Sequence, residues 1–312
     1  MAGDTATAFL IQERTEEFMK KEKTLARLAI LLATVIWGSS FVVLKSTLDF
    51  LPILFILAFR FMTAGILLSV IFWKKVKAIT WGAVINGGII GACLFMAYYL
   101  QTIGLANTTP GKNAFLTAVY CIIVPFQFWA VDKKRPDRYN IIAAVTCLTG
   151  IGLVSLTESL TIQMGDYMTL ISGFFWAAHI VFIAKFSKDY DPALLTIIQF
   201  FACGIISSVG SVFVDSVPAG WFSGAWMELL YMAVFCTAVT LLCQNWGQSK
   251  LPPSNAAILL TLESVFGVLF SVAIYNERIT PRLFIGFCLI FTATIISETK
   301  LSFLEKKQEV AK

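Results

Sequence analysis

Charge is scarce in this chain of 312 residues. Asp, Glu, Lys and Arg make up 14% of it, against roughly a quarter in soluble domains. A soluble globule is therefore excluded. Histidine occurs once, as His179, and no HExxH, GxSxG or CxxC pattern is present. Zinc-protease, serine-hydrolase and dithiol chemistries thus lack their side chains. A metal site would have to rest on carboxylates, and only Glu263 lies deep inside an apolar run. No cofactor and no catalytic residue is expected. The phosphate-cradling GxxxxGK[ST] loop is also missing, which leaves a gradient or the solute itself as the energy source. The seven cysteines fall in apolar stretches and read as small packing residues rather than a disulfide framework.

What the chain does have is length of apolar run. Hydrophobic residues account for 58% of it, and its mean hydropathy is +0.79. About 20 apolar residues cross a bilayer core of about 30 Å. Ten such runs are legible, at 26–44, 53–73, 80–106, 113–131, 139–156, 165–186, 193–214, 227–250, 254–276 and 280–299. In lipid each must be helical, because every backbone N–H and C=O needs a partner within its own segment. The sequence predicts an all-α integral membrane protein with ten transmembrane helices.

Internal repetition organises these runs. At a separation of 143, Gln101 faces Gln244, Gly104 faces Gly247, Pro110 faces Pro253, Ala114 faces Ala257 and Leu116 faces Leu259. At 140, Lys45 faces Lys185, Asp49 faces Asp189, Pro52 faces Pro192 and Phe61 faces Phe201. With one residue of slippage, Trp37 meets Trp176. Matches of Lys, Asp, Pro, Gln and Trp are harder to obtain by accident than matches of Leu and Ala. The reading is a cytoplasmic segment 1–25, a five-helix repeat 26–157, a second five-helix repeat 158–300 and a cytoplasmic tail 301–312. Five crossings per half turn the second half upside down relative to the first. Inverted repeats are a recurrent construction of secondary transporters, with the substrate near the midplane. Inert scaffolds and channels can also arise by duplication.

Charge placement sets the orientation. With the N-terminus inside, all of the 24 Lys and Arg fall on cytoplasmic segments except Lys45, Arg60, Lys112, Arg278 and Arg282, as the positive-inside rule requires. Both termini are then cytoplasmic and the chain is multi-pass in the cell (inner) membrane. Trp73, Trp81, Trp129, Trp221 and Trp226 sit at run ends, where an interfacial aromatic belt belongs. Residues 1–23 are polar, with no apolar core of a cleaved signal peptide.

Polar and aromatic groups at midplane depth mark the path, because they are costly against lipid and turn inward. On the first run Thr34, Trp37 and Ser40 share a face, and on the sixth Ser172, Trp176 and His179 do. Asn113, Thr117 and Tyr120 line a face of the fourth run, and Glu263 is the repeat partner of Tyr120. Gln101 and Gln244 pair across the repeat, with Tyr98 one turn from Gln101. The substrate-lining candidates are therefore Trp37, Ser40, Tyr98, Gln101, Asn113, Tyr120, Trp176, His179 and Gln244. The competing reading makes the tryptophans interhelical filler, the glutamines interhelical hydrogen bonds and His179 a structural side chain. Arg60 and Glu263 are the charges buried within runs. They read as a coupling site for protons, a counter-charge for a solute, or a static ion pair. Pro125 inside the fourth run is a hinge or a fixed kink.

The first-run Trp37-Gly38-Ser39-Ser40-Phe41 and the segment Leu262-Glu263-Ser264-Val265-Phe266 running to Asn276-Glu277-Arg278-Ile279-Thr280 and Gly286 resemble the EamA branch of the drug/metabolite transporter superfamily, over about residues 26–298. Two positions depart from that pattern: Ser264 stands where proline is usual, and Asn276 where glycine is usual. The resemblance implies movement of small organic solutes, amino acids, metabolites or drugs, often outward. The expected partners are such a solute, membrane lipid and protons as the candidate coupling ion, with no nucleic acid, in a monomer or homodimer. Uptake by the same fold, and a lipid scramblase or passive channel, stay open as alternatives.

Overall fold

The computed structural model describes residues 2–133, 135–155, 162–218, 220–251 and 253–300. Helices run through nearly all of them: α1 Ala2–Thr47, α2 Ile53–Ile71, a short α3 Trp73–Val76, α4 Trp81–Ala106, α5 Pro110–Thr117, α6 Tyr120–Asp132, α7 Arg138–Ser155, α8 Met164–Phe186, α9 Pro192–Val214, α10 Trp221–Ala233, a π-helical turn Val234–Val239, α11 Thr240–Lys250, α12 Pro253–Tyr275 and α13 Pro281–Thr299. Among the described residues seven stretches are long and apolar enough to cross a membrane, counting α5 with α6 and α10 with α11. The apolar helices Arg138–Val154, Leu259–Tyr275 and Pro281–Ile296 are shorter. The expected tail 301–312 and the expected boundary between the halves at 157–158 lie outside the described residues.

Local chemistry accounts for the boundaries. Proline opens α5, α9 and α13, where its missing N–H costs nothing and its fixed φ suits a helix. Thr80, Asp191 and Thr280 accept hydrogen bonds from first-turn amides of α4, α9 and α13, the usual N-cap device. The segment 1–25, expected to be cytoplasmic, is helical from Ala2, and α1 is about 70 Å long at 1.5 Å per residue. Between Asp4 and Gly38 the sequence holds neither glycine nor proline, so nothing stops the helix. Pro125 lies inside an unbroken α6. The interruption in that span comes earlier, at Ala118–Val119.

The two halves pack equivalently. α4 lies on α8, and its counterpart α11 lies on α1; α12 lies on α1, and its counterparts α5 and α6 lie on α8. The pairs α2 with α9, α7 with α13, and α5 with α12 map onto themselves. The equivalence reaches single residues. A methyl on Gly104 would strike Thr169 Oγ1 and come within 2.8 Å of the Gly165 carbonyl. One on Gly247 would reach Ile30 at 2.6 Å and the Ala26 carbonyl at 3.1 Å. Gly104 and Gly247 are repeat partners, and Ala26 and Ile30 stand to Gly165 and Thr169 at the same separation as Trp37 to Trp176. Small residues let membrane helices approach this closely.

The outer faces suit lipid. Trp73, Trp81, Trp129 and Trp226 are exposed near helix ends, and Phe213, Val214 and Val212 leave most of their surface uncovered. All seven cysteines are unbridged.

Candidate functional site

Between the halves lies a small cavity built from α1, α2, α4, α5, α6, α8, α11 and α12. It is lined by Trp37, Ser40, Phe41, Leu44, Arg60, Tyr98, Gln101, Leu105, Asn113, Thr117, Tyr120, Trp176, Gln244, Leu260 and Glu263. Its free volume is about 30 Å³, room for a water or two. Every residue read from the sequence as lining the path is here except His179. That ring lies behind the wall, edge-on to Trp176 with centroids 5.7 Å apart, and its Nε2 shares a 2.8 Å hydrogen bond with Gln199 Oε1.

Each wall is fixed by its own bonds. Trp37 is 5% exposed and donates Nε1–H to the Cys236 carbonyl at 3.0 Å. That carbonyl belongs to the π-helical turn, whose wider coil departs from the usual i−4 ladder. Tyr98 packs edge-on to Trp176 at 4.9 Å and to Phe61 at 5.1 Å. Asn113 Nδ2 donates to Thr169 Oγ1 at 2.7 Å and to the Gln101 carbonyl at 3.3 Å. Gln101 Nε2 donates to Thr117 Oγ1 at 3.0 Å, and Thr117 Oγ1 to the Asn113 carbonyl at 2.9 Å. The break at Ala118–Val119 falls between Thr117 and Tyr120, both cavity-lining, so the chain bends where polar side chains must be aimed inward.

Arg60 is 1% exposed. Its Nε donates to Thr237 Oγ1 at 3.1 Å, and its guanidinium lies 4.9 Å from the Tyr98 ring centroid, a cation–π arrangement. Its Nη2 is buried without a hydrogen-bond partner. Glu263 faces the same cavity from α12. The two do not form an ion pair: the ion pairs among the described residues are Lys75–Asp191, Lys112–Asp166, Lys250–Glu22 and Lys300–Asp137. Among the described residues no cluster of His, Cys, Asp or Glu is built to hold a metal.

One contributor escaped the sequence reading. Thr237 reaches Arg60 because the π-helical turn carries it there, with its hydroxyl donating 2.7 Å to the Met232 carbonyl five residues back. Nothing in a run of apolar residues signals such a turn.

Residues 24–156 and again 163–299 match the sequence model of the EamA-like transporter family. The chain belongs to the EamA-like transporter family. A transporter of Archaeoglobus fulgidus described as uncharacterized is 32% identical over 289 residues, covering 93% of this chain and 90% of that one. A probable amino-acid metabolite efflux pump of Escherichia coli is 26% identical over 289 residues, covering 86% and 92%. A solved crystal structure superposes with a TM-score of 0.67 at 15% identity, over 90% of this chain and 98% of that one, which shows the fold. This family member is a multi-pass membrane protein, a transporter working on a small solute in a lipid environment.

Proposed function

We propose that this EamA-like protein is a secondary transporter that exports small organic metabolites, amino acids or drug-like solutes, across the cell membrane by alternating access between two inverted five-helix repeats. One observation carries the reading. Three pairs of repeat partners, Trp37 with Trp176, Gln101 with Gln244 and Tyr120 with Glu263, line a single cavity. Two near-equivalent halves meeting at a site have two near-equivalent arrangements, each opening the site to one side. The equivalent Gly104 and Gly247 contacts support the inversion, since alternating crossings put them at opposite ends of the bundle. A volume of about 30 Å³ suits a closed conformer whose aromatic walls part to admit a solute. The likeness to the Escherichia coli amino-acid metabolite efflux pump supports both export and amino-acid metabolites as cargo.

The test is counterflow in proteoliposomes loaded with an unlabelled amino acid. Saturable uptake of labelled solute above its external level is expected, and unsaturable flux would mark a channel. Trp37→Ala and Trp176→Ala should cut counterflow at least tenfold beyond any fall in folded protein. Loss of flux only in proportion to lost protein would make the two rings filler.

A further inference from the structure

Arg60 is the group in the cavity wall whose charge is permanent, since a guanidinium keeps its proton at any depth in a protein. Its side chain is 1% exposed. Thr237 Oγ1 takes its Nε–H and the Tyr98 ring centroid lies 4.9 Å from its guanidinium carbon, which leaves Nη2 buried with no hydrogen-bond partner. The ion pairs among the described residues do not include it. Its repeat partner is Phe200, so packing at this place in the fold does not require a cation. A second donor of the same lining is also unmet. The Trp176 Nε1–H is buried without a partner, and its ring stands edge-on to Tyr98 with centroids 4.9 Å apart. Arg60 and Trp176 thus flank one tyrosine ring. A charge at membrane depth is costly unless something pairs with it, and a buried N–H without a partner adds its own desolvation penalty.

We infer that the closed cavity binds a small inorganic anion, chloride or one of similar size, on the Nη2 edge of Arg60 with the Trp176 N–H as its second donor. Charge selects an anion, because the unmet ionic group is a cation and the unmet indole can only donate. The unmet acceptors of the lining, Asn113 Oδ1 and Gln244 Oε1, are neutral amide oxygens for which a water suffices. Size narrows the choice further. A free volume of about 30 Å³ holds a water or two, and a halide is little larger, whereas a carboxylate with its carbon chain is not. Low polarity around the site strengthens the attraction between the ion and the guanidinium. The anion is independent of the transport reading: it supplies a counter-charge that no described carboxylate lies close enough to give as an ion pair.

The test exchanges anions around the purified full chain at constant potassium concentration, with melting temperature as the readout. Chloride or bromide replacing gluconate should raise it, by an increment that repeats for every tenfold rise in halide, as for a ligand bound only by the folded state. Gluconate is too large for the cavity and serves as the blank. A rise that gluconate matches is a general salt effect and overturns the inference, as does no rise at all. Arg60→Gln should abolish the halide response. Trp176→Phe keeps a ring edge against Tyr98, removes one N–H donor to an ion, and should weaken halide binding about tenfold. Should the Arg60 variant fail to fold, Trp176→Phe decides, and an unchanged halide response there overturns the inference. Glu263→Gln tests whether the other ionisable group of the lining is the counter-charge instead. The halide response should be present in the wild type and persist in Glu263→Gln; a response confined to Glu263→Gln overturns the bound anion. Counterflow enters none of these readouts, so loss of the anion leaves the transport reading standing, and a chain without flux can still show the halide response.

Discussion

Residues 24–156 and 163–299 satisfy the same family model and pack equivalently, yet they differ where they meet the cavity. Arg60 on α2 stands where α9 has Phe200, and Glu263 on α12 stands where α6 has Tyr120. Each half therefore contributes one ionisable group opposite an aromatic of the other. The backbone differs at matching depth too. The span α5–α6 is interrupted at Ala118–Val119 while α12 runs through, and α4 is regular while its counterpart carries the π-helical turn. The scaffold has kept its symmetry in the small-residue contacts that set helix spacing. The cavity has not: at each of these two positions one half carries an ionisable side chain and the other an aromatic ring. The largest effect that could break this comparison is topological. Single cysteines at the exposed Arg135 and Arg278, in loops related by the repeat, should react with an impermeant reagent from opposite sides. Reaction from one side would refute the inversion.

The two ends of the bundle differ in how they are closed. At one end Lys112 pairs with Asp166 at 2.6 Å, with Asp166 fully buried and also accepting from Thr108. Nearby the Glu277 carboxylate takes hydrogen bonds from Thr109, Ser271 and the Gly111 amide, tying the α12–α13 loop to the start of α5. Lys45 Nζ donates to the Leu105 and Ala106 carbonyls at the end of α4, where the helix dipole favours a cation. At the other end Lys75 and Asp191 pair in the open, beside a recess of about 690 Å³. Asp166→Asn strands a largely buried lysine, and breaking such a pair costs about 3–5 kcal/mol. A fall of many degrees in melting temperature is expected, with the bundle shifted toward opening at that end. The variant melting within a degree or two of the wild type would show that this closure is no firmer than the exposed one.

How much of this was legible follows from which physics each feature uses. The all-helical membrane character was, because lipid demands apolar helices; of the ten expected spans, seven are long enough among the described residues and three are shorter. So was most of the cavity, because a polar or aromatic residue at midplane depth has few places to go. His179 satisfied the same criterion and turned to Gln199 instead, since a stripe on a helix is broad enough to face both a cavity and a neighbouring helix. The departures from the family pattern also became readable only in three dimensions. Asn276 has φ of 57°, a left-handed conformation that glycine adopts freely and asparagine tolerates. Ser264 sits in an unbroken α12 and donates to the Thr261 carbonyl at 2.6 Å, so losing the usual proline keeps this helix regular. Glu277 was visible only as a motif letter, because its partners on α5 lie more than 160 residues away.

The smallest effect concerns helix starts. In the second half Asp191 caps α9, accepting from the Ala193 and Leu194 amides at 2.9 and 3.2 Å, and pairs with Lys75 at 2.7 Å. In the first half the equivalent position is Leu51, and α2 begins from Pro52 with no side-chain cap. Partial burial pushes the Asp191 carboxyl upward, but the Lys75 ammonium and the two amides outweigh it and hold the carboxyl below its usual range. A carboxyl depressed on folding stabilises above its unfolded value of about 3.9, and that contribution fades as pH falls through the lower folded value. Asp191→Asn keeps an equally good cap and loses only an exposed ion pair, worth about 0–1 kcal/mol. Asp191→Ala loses the cap as well, about 0.5–2 kcal/mol more. Melting temperatures in detergent should therefore rank wild type, Asn, then Ala at pH 7. The gap between wild type and Asn should close below about pH 4, while the gap between Asn and Ala persists. A wild-type to Asn gap that stays constant through that window would mean the Lys75 pair contributes nothing, and that the halves differ at this helix start by a cap alone.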